Sequence, residues 1–438
     1  MIRTFSLAAT ALAISASTAF AATEIQWWHA MNGELGAKLE KIVEGYNASQ
    51  SEYKVIPTYK GTYPETMTAA IAAFRAGEQP AIVQVFEVGT GTMMAAKGAV
   101  YPVYELMKDA GADFDSKNYL QAVTGYYTDT DGNMLSLPFN SSTPILYYNK
   151  DVFKKAGLDP ETAPKTWEDV EAFSKKIMES GAAKCGFTTG WISWVQLENL
   201  SAWHNQPIGT LENGFGGTSA ELTVNGPLQV RHWDNLKKWQ DAGIFQYGGP
   251  VGGNDAPPKF YTQECAIYMN SSASRAGVLE NAKDFEVGFG MLPYYSDVAD
   301  APQNSIIGGA TLWVLKGRSE AEYKGVASFF TYLSSKEVQA DWHQYSGYLP
   351  ITMAAYELGK EQGFYARNPG SDVAIKQVTL NAPTANSKGL RFGNYVQIRT
   401  VIDEEFQELL TGKKSAQQAL DAVVSRGNAL IREFESAN

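Results

Sequence analysis

From Ile25 the chain opens with a short apolar run, IQWW, and then changes period. Leu35, Leu39, Ile42, Val43 and Tyr46 recur at helical spacing. YKVIPTY predicts a strand, closed by a turn at Lys60-Gly61. Met67, Ile71 and Phe74 predict a second helix, ended at Gly77 in AGEQP. AIVQVF is a continuous apolar run, the pattern of a parallel strand buried on both faces. The order β-α-β-α-β predicts an α/β domain around a mostly parallel sheet.

The same texture resumes after residue 150. Thr166 caps a predicted helix containing Val170, Phe173 and Ile177, which stops at Ser180-Gly181. KCGFTT and ECAIYM read as strands, with a helical stretch from Val230 to Trp239 between them. The tail from Val396 to Phe434 is dominantly helical, broken at Thr411-Gly412. There is no short-period repeat, low-complexity tract or long charge run, and the loop PVGGNDAPP (250–258) has the most flexible composition. Two α/β units of similar texture predict two lobes. Ligands of such sheets bind beyond the carboxyl ends of the strands, where loops of both lobes converge.

Composition narrows the class. At 438 residues, with 44% hydrophobic and 19% charged, the chain is globular and long enough for two or three domains. MIRTFSLAATALAISASTAFA carries Arg3, an apolar stretch from about Leu7 to Ile14, and Ala19-Phe20-Ala21. It reads as a secretory signal peptide over residues 1–21, its apolar run being shorter than the ~20 residues a membrane span needs. No Cys stands at the cleavage point to carry a lipid anchor, which predicts a free periplasmic protein. The net charge of −11 sits badly with nucleic acid or an anionic membrane surface as partner. In an oxidising compartment Cys185 and Cys265 are a candidate disulfide; the alternative is two buried thiols packed as small apolar residues.

Chemistry is expected at the strand ends. AIVQVF runs into Glu87-Val88-Gly89-Thr90-Gly91, where a carboxylate can accept bonds from a polyol, or simply favour a helix start. Tyr63 stands beside Pro64 at the next helix start. Asn140 to Thr143 and Asn270 to Ser274 are hydroxyl-rich clusters, fit for a turn or for a ligand anion. Gly308 and Gly309 in IIGGAT are places where a ligand can touch backbone. Trp191 and Trp194 are either core or a stacking surface, and ten tryptophans in the chain make the core reading weighty. Arg391 and Arg399 are the guanidinium candidates for a phosphate. HExxH, GxSxG and GxxxxGK[ST] are absent, and nothing singles out a catalytic dyad, a metal site or a cofactor site.

Taken in order, YKGTY, AAFRAGEQPAIVQVFEVGT, PFNSSTPILYYNKD, SIIGGATLWV, WHQYSGYLPIT and GNYVQIRTVIDEE resemble the solute-binding proteins of ABC importers. The likeness is to the maltose-binding-protein-like class (family 1 of the extracellular solute-binding proteins), and within it to the branch that binds sn-glycerol 3-phosphate. It departs most at 204–213 and 247–258. The resemblance implies a two-lobe periplasmic binding protein fold of type II, with an interlobe ligand cleft. It implies one lobe from 22–138 plus 303–347 and the other from 139–302 plus 348–438, with hinge crossings near 138–143, 302–308 and 345–350. It carries ligand-binding roles onto Tyr63, Glu87, Ser142, Ser271, Gly309, Tyr348 and Arg399, and stacking onto Trp191 and Trp194. In that scheme Arg399 holds the phosphate with Ser142, Ser271 and Tyr348, while Glu87 and Tyr63 take the glycerol hydroxyls. The implied partners are a transmembrane permease and its ATPase subunits, with no cofactor, no catalysis and a monomeric state. A sugar-binding relative and a secreted phosphodiester hydrolase are the competing readings. The hydrolase needs a metal cluster or a nucleophile–base pair that the sequence does not display.

Overall fold

The computed structural model describes residues 21–96, 98–250 and 254–438; most of the expected leader lies outside them. In chain order the strands are β1 (Thr23–His29), β2 (Tyr53–Tyr59), β3 (Ile82–Phe86), β4 (Val100–Tyr101), β5 (Leu137–Ser142), β6 (Pro144–Asn149), β7 (Cys185–Thr189), β8 (Phe245–Tyr247), β9 (Cys265–Ser271), β10 (Val287–Gly290) and β11 (Gly308–Leu315). They form two sheets. One runs β2-β1-β3-β11-β4 with β5 also on β11; the other runs β10-β6-β9-β7-β8.

Both sheets are mixed, not mostly parallel. Each keeps a parallel trio joined by helical crossovers: β2-β1-β3 in the first, β9-β7-β8 in the second. The antiparallel pairs come from strands at the passages between sheets. β5 and β11 lie against each other in the first sheet, while β6 pairs with β9 and β10 in the second. The period of a buried strand says nothing about its neighbour's direction, so this was not readable from apolar runs.

Local expectations hold where propensity and packing agree. The helix Trp167–Glu179 starts in a capping box, with Thr166 Oγ1 accepting from Asp169 N and the Asp169 carboxylate accepting from Thr166 N. Tyr63 is the first residue of the helix Tyr63–Ala76, whose box is Thr62 with Glu65. That helix is rotated from the expected stripe: Thr66, Met67 and Ala70 are buried while Ile71 is exposed. The tail forms helices Tyr395–Leu410 and Ala416–Ala437, broken as expected at Thr411-Gly412. In the expected flexible loop, residues 251–253 lie outside the description and Ala256–Tyr261 is a helix.

Among the described residues the chain passes from sheet to sheet at the β5–β6 and β10–β11 connections, and a later segment packs against the first of them. β5 ends at Ser142 in the first sheet and β6 begins at Pro144 in the second, so Thr143 is the crossing. The stretch from β10 to β11 is another. The later segment follows the helix Lys336–Ser346, where Leu349 N donates to Ser141 O (2.7 Å). Gly347 there has φ +82°, and a Cβ would stand 2.4 Å from Ser272 O. β7 and β9 pair with Cys185 opposite Cys265, and a disulfide joins these two fully buried residues. Among the described residues no helix is long and apolar enough to cross a membrane.

Candidate functional site

A cleft of about 340 Å³ opens between the two sheets, and every residue carried over from the resemblance lines it. Tyr63, Glu87 and Gly309 come from the first sheet's strand ends. Trp191, Trp194 and Ser271 come from the second, and Ser142, Tyr348 and Arg399 from the first crossing, the segment packed on it and the late helix.

The hydroxyl cluster at Asn140 to Thr143 is neither a turn nor a collective cradle. Asn140 to Ser142 are strand residues of β5, buried and paired with β11. Only Ser142 of the cluster reaches the cleft. Asn140 belongs to a relay: Ala30 N donates to Gln84 Oε1 (2.8 Å), Gln84 Nε2 to Asn140 Oδ1 (2.8 Å), and Asn140 Nδ2 to Tyr63 Oη (2.9 Å). The Tyr63 hydroxyl is an acceptor in that relay and is hydrogen-bonded to the Tyr348 phenol on its other side. The Thr143 hydroxyl donates to Ser305 Oγ (2.6 Å) and Ile306 O (3.1 Å), tying the first crossing to the second. In the second cluster Ser271 lines the cleft, and its Oγ accepts from Ala273 N (3.1 Å).

The glycines answer to protein packing first. Gly309 has φ +96°, and a Cβ there would lie 1.8 Å from Asn140 O across the β5–β11 pair. At Gly308 a Cβ would stand 2.4 Å from the ring of Trp194, whose indole nitrogen donates to Ile307 O (3.4 Å). Gly91 accommodates the Phe392 carbonyl, 2.7 Å from its would-be Cβ, and does not line the cleft. Trp191 is a half-buried non-glycine residue with φ +46°, an uncommon conformation of the kind found at ligand sites.

Two phenols supply neutral donors. Burial pushes Tyr63 well above the ordinary phenol range, with Tyr348 adding to it, and burial likewise raises Tyr348. Tyr63 stacks on Phe86 (5.3 Å between centroids) and Tyr348 on Trp342 (5.5 Å), which fixes both rings.

Arg399 is at the cleft, and it is already paired. Its Nε donates to Glu198 Oε1 (2.9 Å), and its Nη2 to Glu198 Oε2 (2.7 Å) and Glu87 Oε1 (2.6 Å). The planar fork expected to face a phosphate is therefore engaged by Glu198. Three of five guanidinium donors are committed, and Nη1 makes no hydrogen bond among the described residues. Burial works against the guanidinium charge, but Glu198 and then Glu87 outweigh it and hold Arg399 well above its ordinary value. Burial pushes Glu87 upward; Arg399 opposes that and Glu198 reinforces it.

Glu198 was not found by sequence reasoning. It ends a π-helical turn, Trp194–Glu198, inside the stretch WVQLENLSAW, and is fully buried. The available signal was a single charged residue between tryptophans in a stretch otherwise uncharged, since a buried carboxylate needs a partner. π-turns are frequent at functional sites, and this one has Trp194 on the cleft at one end and Glu198 under Arg399 at the other. Arg391, the other arginine of its segment, lies away from this cleft. Its Nη2 donates to the carbonyls of Gly125, Tyr126 and Thr128 at the end of the helix Gln121–Tyr127, and its guanidinium sits 4.3 Å from the Phe215 ring centroid. No group of three or more metal-ligating side chains occurs among the described residues.

The profile described as bacterial extracellular solute-binding protein matches residues 41–371. The chain is 53% identical over 423 residues to an sn-glycerol-3-phosphate-binding periplasmic protein of Yersinia pseudotuberculosis, covering 96% of this chain and 95% of that one. It is 50% identical to the protein of that description from Salmonella typhimurium, covering 99% of each chain. Among solved structures, UgpB from Mycobacterium tuberculosis in complex with glycerophosphocholine superposes with TM-score 0.76 at 20% identity, over 94% of this chain and 99% of that one. A maltose-bound binding protein of T. maritima superposes with TM-score 0.74 at 19% identity, over 92% and 99%. These structural likenesses establish the two-lobe, maltose-binding-protein-like fold. The matched profile and the half-identical relatives establish that the chain belongs to the bacterial extracellular solute-binding proteins.

Proposed function

We propose that this protein is the periplasmic solute receptor of an ABC importer, taking sn-glycerol 3-phosphate and glycerophosphodiesters such as glycerophosphocholine, and passing them unchanged to a transmembrane permease with ATPase subunits. The observation that carries the reading is the convergence of Tyr63, Glu87, Ser142, Ser271, Tyr348 and Arg399 on one interlobe cleft. The half-identical relatives named for sn-glycerol 3-phosphate support the ligand class.

The roles follow from donor chemistry. Arg399 Nη1 meets the phosphate, with the hydroxyls of Ser142, Ser271 and Tyr348 completing its oxygens. Glu87 Oε1 is held by Arg399, and its remaining lone pairs accept the glycerol hydroxyls beside the Tyr63 phenol. Trp191 and Trp194 cover the carbon chain. Many neutral dipoles in a closed cleft carry an anion without full countercharge. The lobes divide as 22–138 plus 303–347 and 139–302 plus 348–438. The protein acts as a monomer after removal of a leader ending near Ala21, and it turns over nothing.

Titration calorimetry with sn-glycerol 3-phosphate, glycerophosphocholine and maltose tests the ligand class. Heat from the first two and none from maltose is expected. Binding of maltose alone would transfer the protein to the sugar-binding branch. Recovery of intact diester after incubation separates a receptor from a hydrolase.

A further inference from the structure

In the cleft one guanidinium serves two carboxylates. Arg399 has an 8% exposed side chain, and those of Glu87 and Glu198 are 4% and 0% exposed. Glu87 lines the cleft; Glu198 lies behind Arg399 and does not. Glu198 takes the Nε/Nη2 edge in a bidentate pair, and Nη1 is left without a hydrogen bond among the described residues while Arg399 lines the cleft. With both carboxylates ionised the cluster carries one net negative charge, although its ligand is an anion. Water is scarce there, so these charges couple strongly to any charge that enters. Holding Arg399 in place needs an acceptor behind it; it does not need a second negative charge.

We propose that Glu198 is a positioning residue that sets which ligand charge the cleft accepts, by orienting Arg399 through its fork edge and offsetting the guanidinium charge against doubly ionised phosphates. This rests on the phosphate-ligand reading above. The ligand pair that isolates it is sn-glycerol 3-phosphate, a dianion above its second pKa of ~6, and its methyl ester, which keeps the glycerol and phosphate but carries one charge. Glu198→Gln keeps the size and an acceptor oxygen while removing the charge. A unit charge separated from the ligand by one guanidinium in a buried site is expected to shift the dianion-to-monoanion affinity ratio by on the order of tenfold in favour of the dianion when it is removed.

The experiment measures both affinities by calorimetry, at a pH about two units above that pKa, for the wild type, Glu198→Gln and Glu198→Asp. Glu198→Ser, small enough to leave water on the guanidinium, gives a second neutral side chain should the amide not fold. The expected result is a raised ratio in the neutral variants and a ratio within about twofold of wild type in Glu198→Asp. Equal changes for both ligands in a folded neutral variant would reduce Glu198 to a structural prop and overturn the inference while leaving the proposed function standing. Binding of neither ester by the wild type would overturn the proposed function and this inference with it.

Discussion

Arg399 is where residue chemistry decides most. Removing it takes away a cation that lines the cleft and leaves Glu87 and Glu198 buried without their partner. Arg399→Ala should therefore weaken sn-glycerol 3-phosphate binding by about 2–5 kcal/mol, which is ~30- to 5,000-fold. It should also lower the melting temperature, because a broken buried pair typically costs ~3–5 kcal/mol of stability. Arg399→Lys should rescue only part of both losses, since an ammonium cannot match the Glu198 fork. Ser142→Ala, which removes one neutral donor, should cost ~0.5–3 kcal/mol of affinity. Arg391→Ala should show the opposite profile, with stability reduced through three orphaned carbonyls and affinity near wild type. Calorimetry and thermal melts on the same preparations check the ranking. Near-wild-type affinity in folded Arg399→Ala would move the phosphate elsewhere. Both arginines stand in one apolar-flanked segment, LRFGNYVQIRT, and spacing alone gave no reason to prefer Arg399; the resemblance did. The pairing with Glu198 was invisible to either route, because 201 positions separate the two along the chain.

At the element scale two features carry predictions. β7 and β9 pair in parallel with Cys185 opposite Cys265, so unfolded, unreduced protein should titrate with no free thiol. Replacing both cysteines should cost ~2–5 kcal/mol of stability; two free thiols in the native protein would show the bond absent. The helix Lys336–Ser346 ends beside the segment packed on the first crossing, where His343 Nδ1 donates to Tyr348 O (2.5 Å) and Nε2 accepts from Tyr365 Oη (2.9 Å). That ring is neutral, and burial holds it down to about 4. Burial likewise depresses the other histidines: His29 and His204 to about 4, and His232 well below its ordinary value. The linkage has one sign. Each group titrates near 6.5 when unfolded, so its stability contribution is complete above that pH. As pH falls toward 4 the unfolded chain takes up protons that the folded chain refuses, and stability declines. Melts from pH 7 to 4.5 should show this fall, and His343→Gln should make it shallower. An unchanged slope in that variant would assign the acid loss to other groups.

For the whole molecule the crossings matter more than either sheet. Thr143, the stretch before β11, and Gly347 to Leu349 lie close together and are tied by Thr143 to Ser305 and by Leu349 to Ser141. No strand is shared between the two sheets and few segments join them among the described residues, the arrangement in which rotation of one lobe against the other is the soft motion. Small-angle scattering should give a smaller radius of gyration with saturating sn-glycerol 3-phosphate. Superimposable curves would argue against closure.

What the sequence determined by itself follows from its short-range patterns. Strand and helix positions were legible because periods of 2 and 3.6, glycine stops and capping pairs such as Thr166 with Asp169 act within a few residues. The α/β class, the two lobes and most strand-end candidates were legible in the same patterns; the type II fold, Tyr348 and the choice of Arg399 came with the resemblance. Only the tertiary structure decided the rest. It made the sheets mixed, turned Ile71 outward, took Asn140 and Thr143 out of the cleft into structural bonds, and demanded glycine at 309 for the Asn140 carbonyl. It also placed Glu198 under Arg399. The physical reason is common to all of these: strand direction, helix rotation and the partner of a buried charge are settled by contacts between residues far apart in the chain, and no local period encodes them.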